Sequence, residues 1–242
     1  MKVIITMAGA GSRFKEVGIQ EEKYKLKVKE RTMFDYAMES LRPFFGHTFI
    51  FIARKDDCTN KFISSHCERL GIESFETVEI SQLTAGQADT AREAADYIDG
   101  GESILIYNVD TYIEEGYISQ GIFKGDGCIP VFKTDGGSWS YVEIDESEEV
   151  TEVREKEPIS NLASIGLYYF KNFDLFGEVL SESGDEVGAK YGEKYIAPLY
   201  NSLIKDGYSV RIHRVPESAV HILGTPSDVA RFDPNFRDRH GL

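Results

Sequence analysis

Apolar residues along this chain follow two rhythms. Short apolar or β-branched runs at 3–8, 48–53, 75–80 and 103–109 predict strands. Between them lie stretches with helical spacing. Phe34, Ala37, Met38, Leu41 and Phe45 form one stripe, with Thr32 placed to cap it. Ala91, Ala94, Ala95 and Ile98 form another, and its start, Thr84-Ala85-Gly86-Gln87, has the pattern of a capping box. Strands alternating with crossover helices predict an α/β fold around a mainly parallel sheet.

The rhythm changes after about residue 125. Strand-like runs at 128–133, 141–144 and 164–170 follow one another with few helices between them. The Gly-, Ser- and Glu-rich stretch 135–153 predicts hairpin turns. Helices are expected at 173–181, 195–205 and 226–232, with a late strand at 210–215. No repeat or linker interrupts the chain. One domain over 1–242 is expected, in which 1–125 builds a site and 126–242 covers it.

Charge narrows the function. The 242 residues carry 27 basic and 41 acidic side chains, a net charge of −14. Nucleic acid or an anionic membrane as partner is excluded, because each needs a basic footprint. A small phosphate ligand in a local basic pocket is not excluded. No apolar run reaches the roughly 18 residues of a membrane span, and no secretory cleavage pattern is present, so a cytoplasmic protein is expected. Cys58, Cys67 and Cys128 read as reduced thiols. Cys58, His66 and Cys67 lack zinc-site spacing and a fourth ligand.

Candidate chemistry starts at the end of the first strand. Ala8, Gly9, Ala10, Gly11, Ser12 and Arg13 form a small-residue loop ending in a planar cation. Such a loop lets backbone N–H groups approach a polyphosphate, and arginine matches phosphate oxygens. A dinucleotide fingerprint would need a small residue where Phe14 stands, and no Gly-Lys-Ser/Thr follows for a P-loop. Lys23, Lys25, Lys27, Lys29 and Arg31 alternate with Tyr24, Leu26 and Val28. In an extended segment they would form a wall of cations for an anion. Asp110 ends the fourth strand, at the edge where α/β sheets bind ligands, and is suited to hold Mg²⁺ against phosphates.

These motifs, in this order, resemble the sugar-phosphate nucleotidylyltransferases, which have a single Rossmann-like (GT-A-like) domain. The glycine loop is similar to that family's phosphate-wrapping signature. Lys23-Tyr24-Lys25-Leu26-Lys27-Val28 resembles its Lys-Pro-Leu-x-x-Val element, without the proline. Leu83-Thr84-Ala85-Gly86-Gln87-Ala88 resembles its base-reading segment, and Asn108-Val109-Asp110 its metal-binding strand end. Glu155-Lys156 and the run Ala163-Ser164-Ile165-Gly166-Leu167-Tyr168 resemble acceptor-side elements, and Gly224-Thr225-Pro226 the terminal turn. The family usually has an aspartate two residues before that turn. Here Ile222 stands there, beside His221, a candidate substitute.

The resemblance implies transfer of a nucleotidyl group from an NTP to a sugar 1-phosphate or similar small phosphomonoester, with pyrophosphate released, for activated precursors of surface polysaccharide. Arg13, Lys23 and Asp110 would act on the phosphates, with Mg²⁺ on Asp110. Ala8, Gly9, Ala10, Gly11, Ser12, Thr84, Ala85, Gly86, Gln87 and Asn108 would bind the nucleotide. Glu155, Lys156, Ser164, Gly166, Tyr168 and Glu193 would bind the acceptor. Alternatives are a cytidylyltransferase for a phosphorylated amino alcohol or amino acid, a glycosyltransferase of the same fold, and a non-catalytic nucleotide-binding protein. Base, acceptor and oligomeric state stay open, a homo-oligomer being among the options.

Overall fold

The computed structural model describes residues 1–55 and 59–241, so Cys58 lies outside the described residues. The first half contains β1 (Lys2–Thr6), α1 (Ser12–Lys15), the short hairpin β2 (Lys27–Val28) and β3 (Arg31–Thr32), and α2 (Met33–Ser40). It continues with β4 (Thr48–Arg54), α3 (Thr59–Leu70), β5 (Phe75–Ile80), α4 (Gln87–Arg92), β6 (Ile104–Asn108) and β7 (Thr111–Ile113). The second half contains β8 (Gly127–Lys133), β9 (Ser140–Ile144), β10 (Val150–Glu155), β11 (Leu162–Ser164), β12 (Leu167–Phe170) and α5 (Phe173–Tyr191). It ends with α6 (Tyr200–Lys205), β13 (Val210–Arg214), β14 (Val220–Ile222), α7 (Pro226–Phe232) and α8 (Phe236–His240).

A ten-stranded mixed sheet runs through both halves in the order β10-β9-β11-β8-β12-β6-β1-β4-β5, with β13 beside β8. β6, β1, β4 and β5 are parallel, and the second half adds antiparallel strands through β12. Alternate side chains of β1, β4 and β6 feed opposite faces. Ile4, Ile50, Ile52, Ile104 and Ile106 pack with α4, α5 and α6. Val3, Ile5, Phe49, Phe51, Leu105 and Tyr107 pack with α2 and α3. Each such side chain contributes about 1.5–3 kcal/mol on burial, which is why these runs read as continuously apolar. A third cluster places Phe14 of α1 against Leu26, Val28, Leu223 and Phe236. It fixes the base of the glycine loop.

Thr32 caps α2 as expected. Its hydroxyl accepts from the Asp35 amide at 3.2 Å, and Asp35 Oδ2 accepts from the Thr32 amide at 3.1 Å. Asp35 also ties α2 to α3, with His66 Nδ1 and Arg69 each 2.6 Å away. His66 is thereby occupied away from the cysteines. Cys67 and Cys128 are free, and burial pushes both thiols up to about 12.

Several expectations need correction. The helix after Thr84 does not use Thr84 as its cap. Gly86 is the N-cap residue, and the Ala88 amide is satisfied by the Lys194 carbonyl at 2.9 Å, so a distant backbone replaces the side chain. Thr84 Oγ1 instead donates to the Gly86 carbonyl at 3.0 Å. This helix ends at Arg92, and a 3-10 turn carries Ala95–Tyr97. The run 164–170 is split between β11 and β12 by Gly166 at φ +80°, where a methyl group would lie 2.4 Å from Asn108 Nδ2. The helix expected at 173–181 extends to Tyr191 because Val187 is buried, Gly184 and Gly188 leave room for the Lys194 stem, and Gly192 closes it in the left-handed conformation. That expected at 195–205 is helical only from Tyr200, after a 3-10 turn containing Pro198.

The cation row is also overturned. Lys23–Lys25 form a 3-10 turn, and the hairpin then reverses at Lys29 with φ +53°. Tyr24, Leu26 and Val28 are buried as the alternation requires, but the cations diverge. Lys29 Nζ lies 3.7 Å from the Phe232 ring centre, and Arg31 pairs with Glu39 at 3.4 Å. The backbone turns twice within nine residues, so strict alternation does not put these side chains on one face.

Burial pushes the Asp35 carboxyl up, but hydrogen bonds from His66, the Thr32 amide and Arg69 outweigh it and hold the group at about 2. A lowered carboxylate contributes stability above its unfolded value of 3.8, and that contribution is lost as pH falls toward 2. It amounts to about 2 kcal/mol. Asp35→Asn should therefore lower stability at pH 7 by about 2 kcal/mol in urea melts. It should also flatten the pH dependence of stability between about pH 4 and 2. An acid limb of unchanged slope would count against this role.

Candidate active site

The site follows from strand register. β1 and β6 are parallel neighbours, and Thr6 pairs with Asn108 at their carboxyl ends. The loop after β1 and Asp110 beyond β6 therefore meet over the sheet edge. The sheet order also reverses there, the position where α/β sheets open a crevice. A cavity of about 560 Å³ occupies it.

Ala8, Gly9, Ala10, Gly11, Ser12 and Arg13 all line this cavity. Gly11 has φ +65°, and methyl groups on Gly9 or Gly11 would touch nothing within 4 Å. The loop is thus bare toward the cavity and leaves its amides accessible. Arg13 has no hydrogen-bond or ion-pair partner among the described residues. An unpaired guanidinium above open amides is an anion-binding arrangement.

Lys23 closes the opposite side. Its Nζ lies 2.5 Å from Asp110 Oδ2, with both side chains partly buried. Of the five alternating cations, Lys23 alone lines the cavity. The Leu223 amide donates to the Asp110 carbonyl at 2.8 Å, which brings Gly224 into the lining.

On the second wall, Thr84, Gly86, Gln87 and Asn108 line the cavity, while Ala85 faces away and gives its carbonyl to the Lys194 amide. Gln87 is turned inward. Its Nε2 donates to Thr6 Oγ1 at 3.1 Å and to Asn108 Oδ1, locking Asn108 to the end of β1. Leu83, 60% exposed, and Glu22, held by Arg54 at 2.7 Å, also line the cavity. Leu83 belongs to the segment likened to the base-reading element but was not among the expected site residues, and Glu22 was marked only by its place beside Lys23.

The expected acceptor residues divide. Glu193 lines the cavity, whereas Glu155, Lys156, Ser164, Gly166 and Tyr168 do not. Glu155, Ser164 and Tyr168 are buried. Ser140 donates to Glu155, and burial pushes the Glu155 carboxyl above its ordinary value. Burial likewise pushes the Tyr168 phenol up to about 12, partly offset by Ser164. Gly166 backs Asn108. Lys156 is exposed and donates to Tyr195 Oη at 2.7 Å. Trp139 anchors its own loop through Nε1 to the Gly136 carbonyl at 2.9 Å.

The donor set bears on a metal. Among the described residues no three His, Cys, Asp or Glu side chains converge as a metal cage. Mg²⁺ shared with substrate phosphates needs only one or two carboxylates. Asp110 fits that demand, and Lys23 already shows that a cation is stable beside it. A methyl on Gly224 would lie 3.7 Å from Asp110 Oδ2 and 3.9 Å from Asp228 Oδ2, but Asp228 accepts from Thr225 Oγ1 at 2.6 Å and does not line the cavity. His221 is not a substitute ligand. It pairs with Glu114 at 3.0 Å, stacks on Tyr112 and lines no part of the cavity.

The chain is similar to known proteins along most of its length. The sequence model of the nucleotidyl transferase family matches residues 2–209. A low-salt glycan biosynthesis nucleotidyltransferase, Agl11 of Haloferax volcanii, is 26% identical over 241 residues, covering 95% of this chain; the chain spans 64% of that relative's length. The crystal structure of a nucleoside-diphosphate-sugar pyrophosphorylase from Vibrio cholerae RC9 is 32% identical with a TM-score of 0.87, covering 96% of this chain and 99% of that one. An inositol-1-phosphate CTP transferase from T. maritima shares the fold at 16% identity and TM-score 0.75, with 98% of each chain covered. With a match that runs from the first strand to the threshold of β13, the chain belongs to the nucleotidyl transferase family.

Proposed function

We propose that the protein transfers a nucleotidyl group from an NTP to a small phosphomonoester, a sugar 1-phosphate by default, and releases pyrophosphate. The observation that carries this is the unpaired Arg13 and open loop amides facing the Lys23–Asp110 pair across one cavity. The likeness to the Vibrio pyrophosphorylase over nearly its whole length supports it, as does the glycan-biosynthesis relative. A supply of activated precursors for surface glycans, made in the cytoplasm where NTPs are available, is the matching biological role.

An oxygen of the acceptor phosphate attacks the α-phosphorus in line. The bond to the bridging oxygen of the β-phosphate breaks, and pyrophosphate leaves with that electron pair. Such a reaction asks the protein for positioning and charge neutralisation rather than covalent chemistry. The amides of residues 9–12 and Arg13 would hold the β- and γ-phosphates and stabilise the leaving group. Lys23, beside Asp110, would neutralise the α-phosphate. Asp110 would hold Mg²⁺, which when bound neutralises phosphate oxygens. Thr84 and Gly86 present the wall for the base, with Leu83 supplying an apolar surface at the rim. Glu193 is the acceptor-side side chain that reaches this cavity.

A glycosyltransferase reading is weaker. Its usual metal pair would need Asn108 to be a carboxylate facing the ligand. Asn108 instead spends its amide oxygen on Gln87.

Pyrophosphate release with CTP, UTP, GTP, ATP or dTTP against phosphorylated acceptors tests the activity. One NTP and one acceptor should both be required. Arg13→Ala, Lys23→Met and Asp110→Asn should each lower kcat/KM by about 10²–10³-fold without changing the circular dichroism spectrum. Near-normal turnover in all three would sink the proposal. EDTA should stop turnover and added Mg²⁺ restore it; activity that survives the chelator would remove Mg²⁺ from the scheme.

A further inference from the structure

Residues 193–195 reach both sides of the site in three successive positions. Glu193 lines the cavity. Lys194 then grips the base-side segment from both ends: its amide donates to the Ala85 carbonyl at 2.9 Å, and its carbonyl accepts from the Ala88 amide at 2.9 Å. Gly86 sits inside this clamp with φ +154°, and a methyl group there would lie 2.4 Å from the Lys194 nitrogen. Only glycine permits the approach.

The lysine side chain braces the clamp. Its stem runs along α5, where a methyl on Gly188 would come 3.3 Å from Lys194 Cγ. Its Nζ lies 2.7 Å from Asp185 and 3.5 Å from Asp89 of α4. Asp89 Oδ1 is buried without a hydrogen-bond partner, and Arg92 is the other cation paired with Asp89, at 3.5 Å. Tyr195 extends the contact to the acceptor-side pair. Its hydroxyl accepts from Lys156 Nζ at 2.7 Å, and that Nζ lies 4.8 Å from its ring centre. Lys156 holds φ +58°, and its amide donates to the Trp139 carbonyl at 2.7 Å.

We infer that Lys194 is a positioning residue which, through Tyr195, makes the base-side wall and the Glu155-Lys156 segment a single mechanical unit, so that a bound nucleotide orders the acceptor side. The inference rests on the nucleotidyl-transfer reading. A ligand that pins Thr84 and Gly86 also pins the Lys194 peptide, because its two hydrogen bonds, to Ala85 and Ala88, flank Gly86. A fixed Lys194 fixes Tyr195, and Lys156 loses freedom before any acceptor arrives. The second ligand then meets a wall already ordered, which is cooperativity through shared entropy.

Hydrogen–deuterium exchange reads this directly. CTP, UTP, GTP, ATP and dTTP are first tested for binding heat by calorimetry, and one that binds is added at saturation. In the wild type, exchange should slow at residues 9–13 and 84–88, and also at 194–196 and 155–157, the last by on the order of 5-fold. Tyr195→Leu, which removes both the hydroxyl and the ring, should abolish the slowing at 155–157 and keep it at 194–196. Lys194→Met should weaken the slowing at both while leaving that at 9–13 intact, a pattern that general destabilisation does not produce. Slowing confined to 9–13 and 84–88 in the wild type overturns the inference and leaves the nucleotide site standing. So does slowing at 155–157 that survives both substitutions. Absence of binding heat with every NTP overturns both readings.

Discussion

The pairing of β1 with β6 is the constraint on which the rest depends. Five consecutive residues of each strand stand opposite one another, from Lys2 and Ile104 to Thr6 and Asn108. A parallel register cannot slip by one residue without turning Ile4 and Ile106 out of one core and Val3 and Leu105 out of the other. The same register decides that a bare glycine loop and a carboxylate leave the sheet edge side by side. Thr6, Gln87 and Asn108 then stitch the two strand ends together with side-chain hydrogen bonds. The geometry of the site is thus a by-product of core packing rather than of the loops themselves.

For an acidic protein to hold a polyphosphate, as proposed, an electrostatic problem must be solved locally. The net charge is −14, yet at physiological salt charges more than about 8 Å away are largely screened at the surface. What matters is the lining. There the backbone amides and Arg13 offer positive character without a matching carboxylate, while Lys23 is already balanced by Asp110. Glu22 also lines the cavity, but Arg54 neutralises it with two contacts at 2.7 and 2.9 Å. The unbalanced donors therefore cluster on the glycine-loop side. That asymmetry favours the more highly charged end of a triphosphate there and leaves the single ester linkage toward Lys23.

The first half was legible because its information is local. The central parallel strands β1, β4 and β6 are apolar runs buried along most of their length, and β5 ends on the residues that the pattern marks although most of it is only half-buried or exposed. Thr32 and Asp35 announce their cap within four residues, and Pro226–Phe232 is bounded by Thr225 in the same way. The loop at 8–13 and Asp110 were readable because each closely follows a strand end, and Lys23 through the motif it resembles. What stayed hidden depends on distant partners. Thr84 carries the letters of a cap, yet Lys194, more than a hundred residues away, takes its place. α5 looks short because its glycines are poor helix formers, but those glycines make room for the lysine that follows the helix. The cation row failed for a different reason: alternation implies one face only if the backbone stays extended, and Lys29 turns it.

The acceptor side shows where resemblance and geometry diverge. Glu155 and Tyr168 occupy motif positions, but burial gives them supporting work: Glu155 takes a hydrogen bond from Ser140, and Tyr168 lies beside Ser164 of β11 and Ser140 of β9. Buried polar groups of this kind stay buried only while their partners persist. They can shape the wall, whereas direct contact with a ligand falls to side chains that reach open space. Glu193 does so in the cavity, and Lys156 does so outside it, held by Tyr195. An acceptor that touches both must lie along the 193–195 segment.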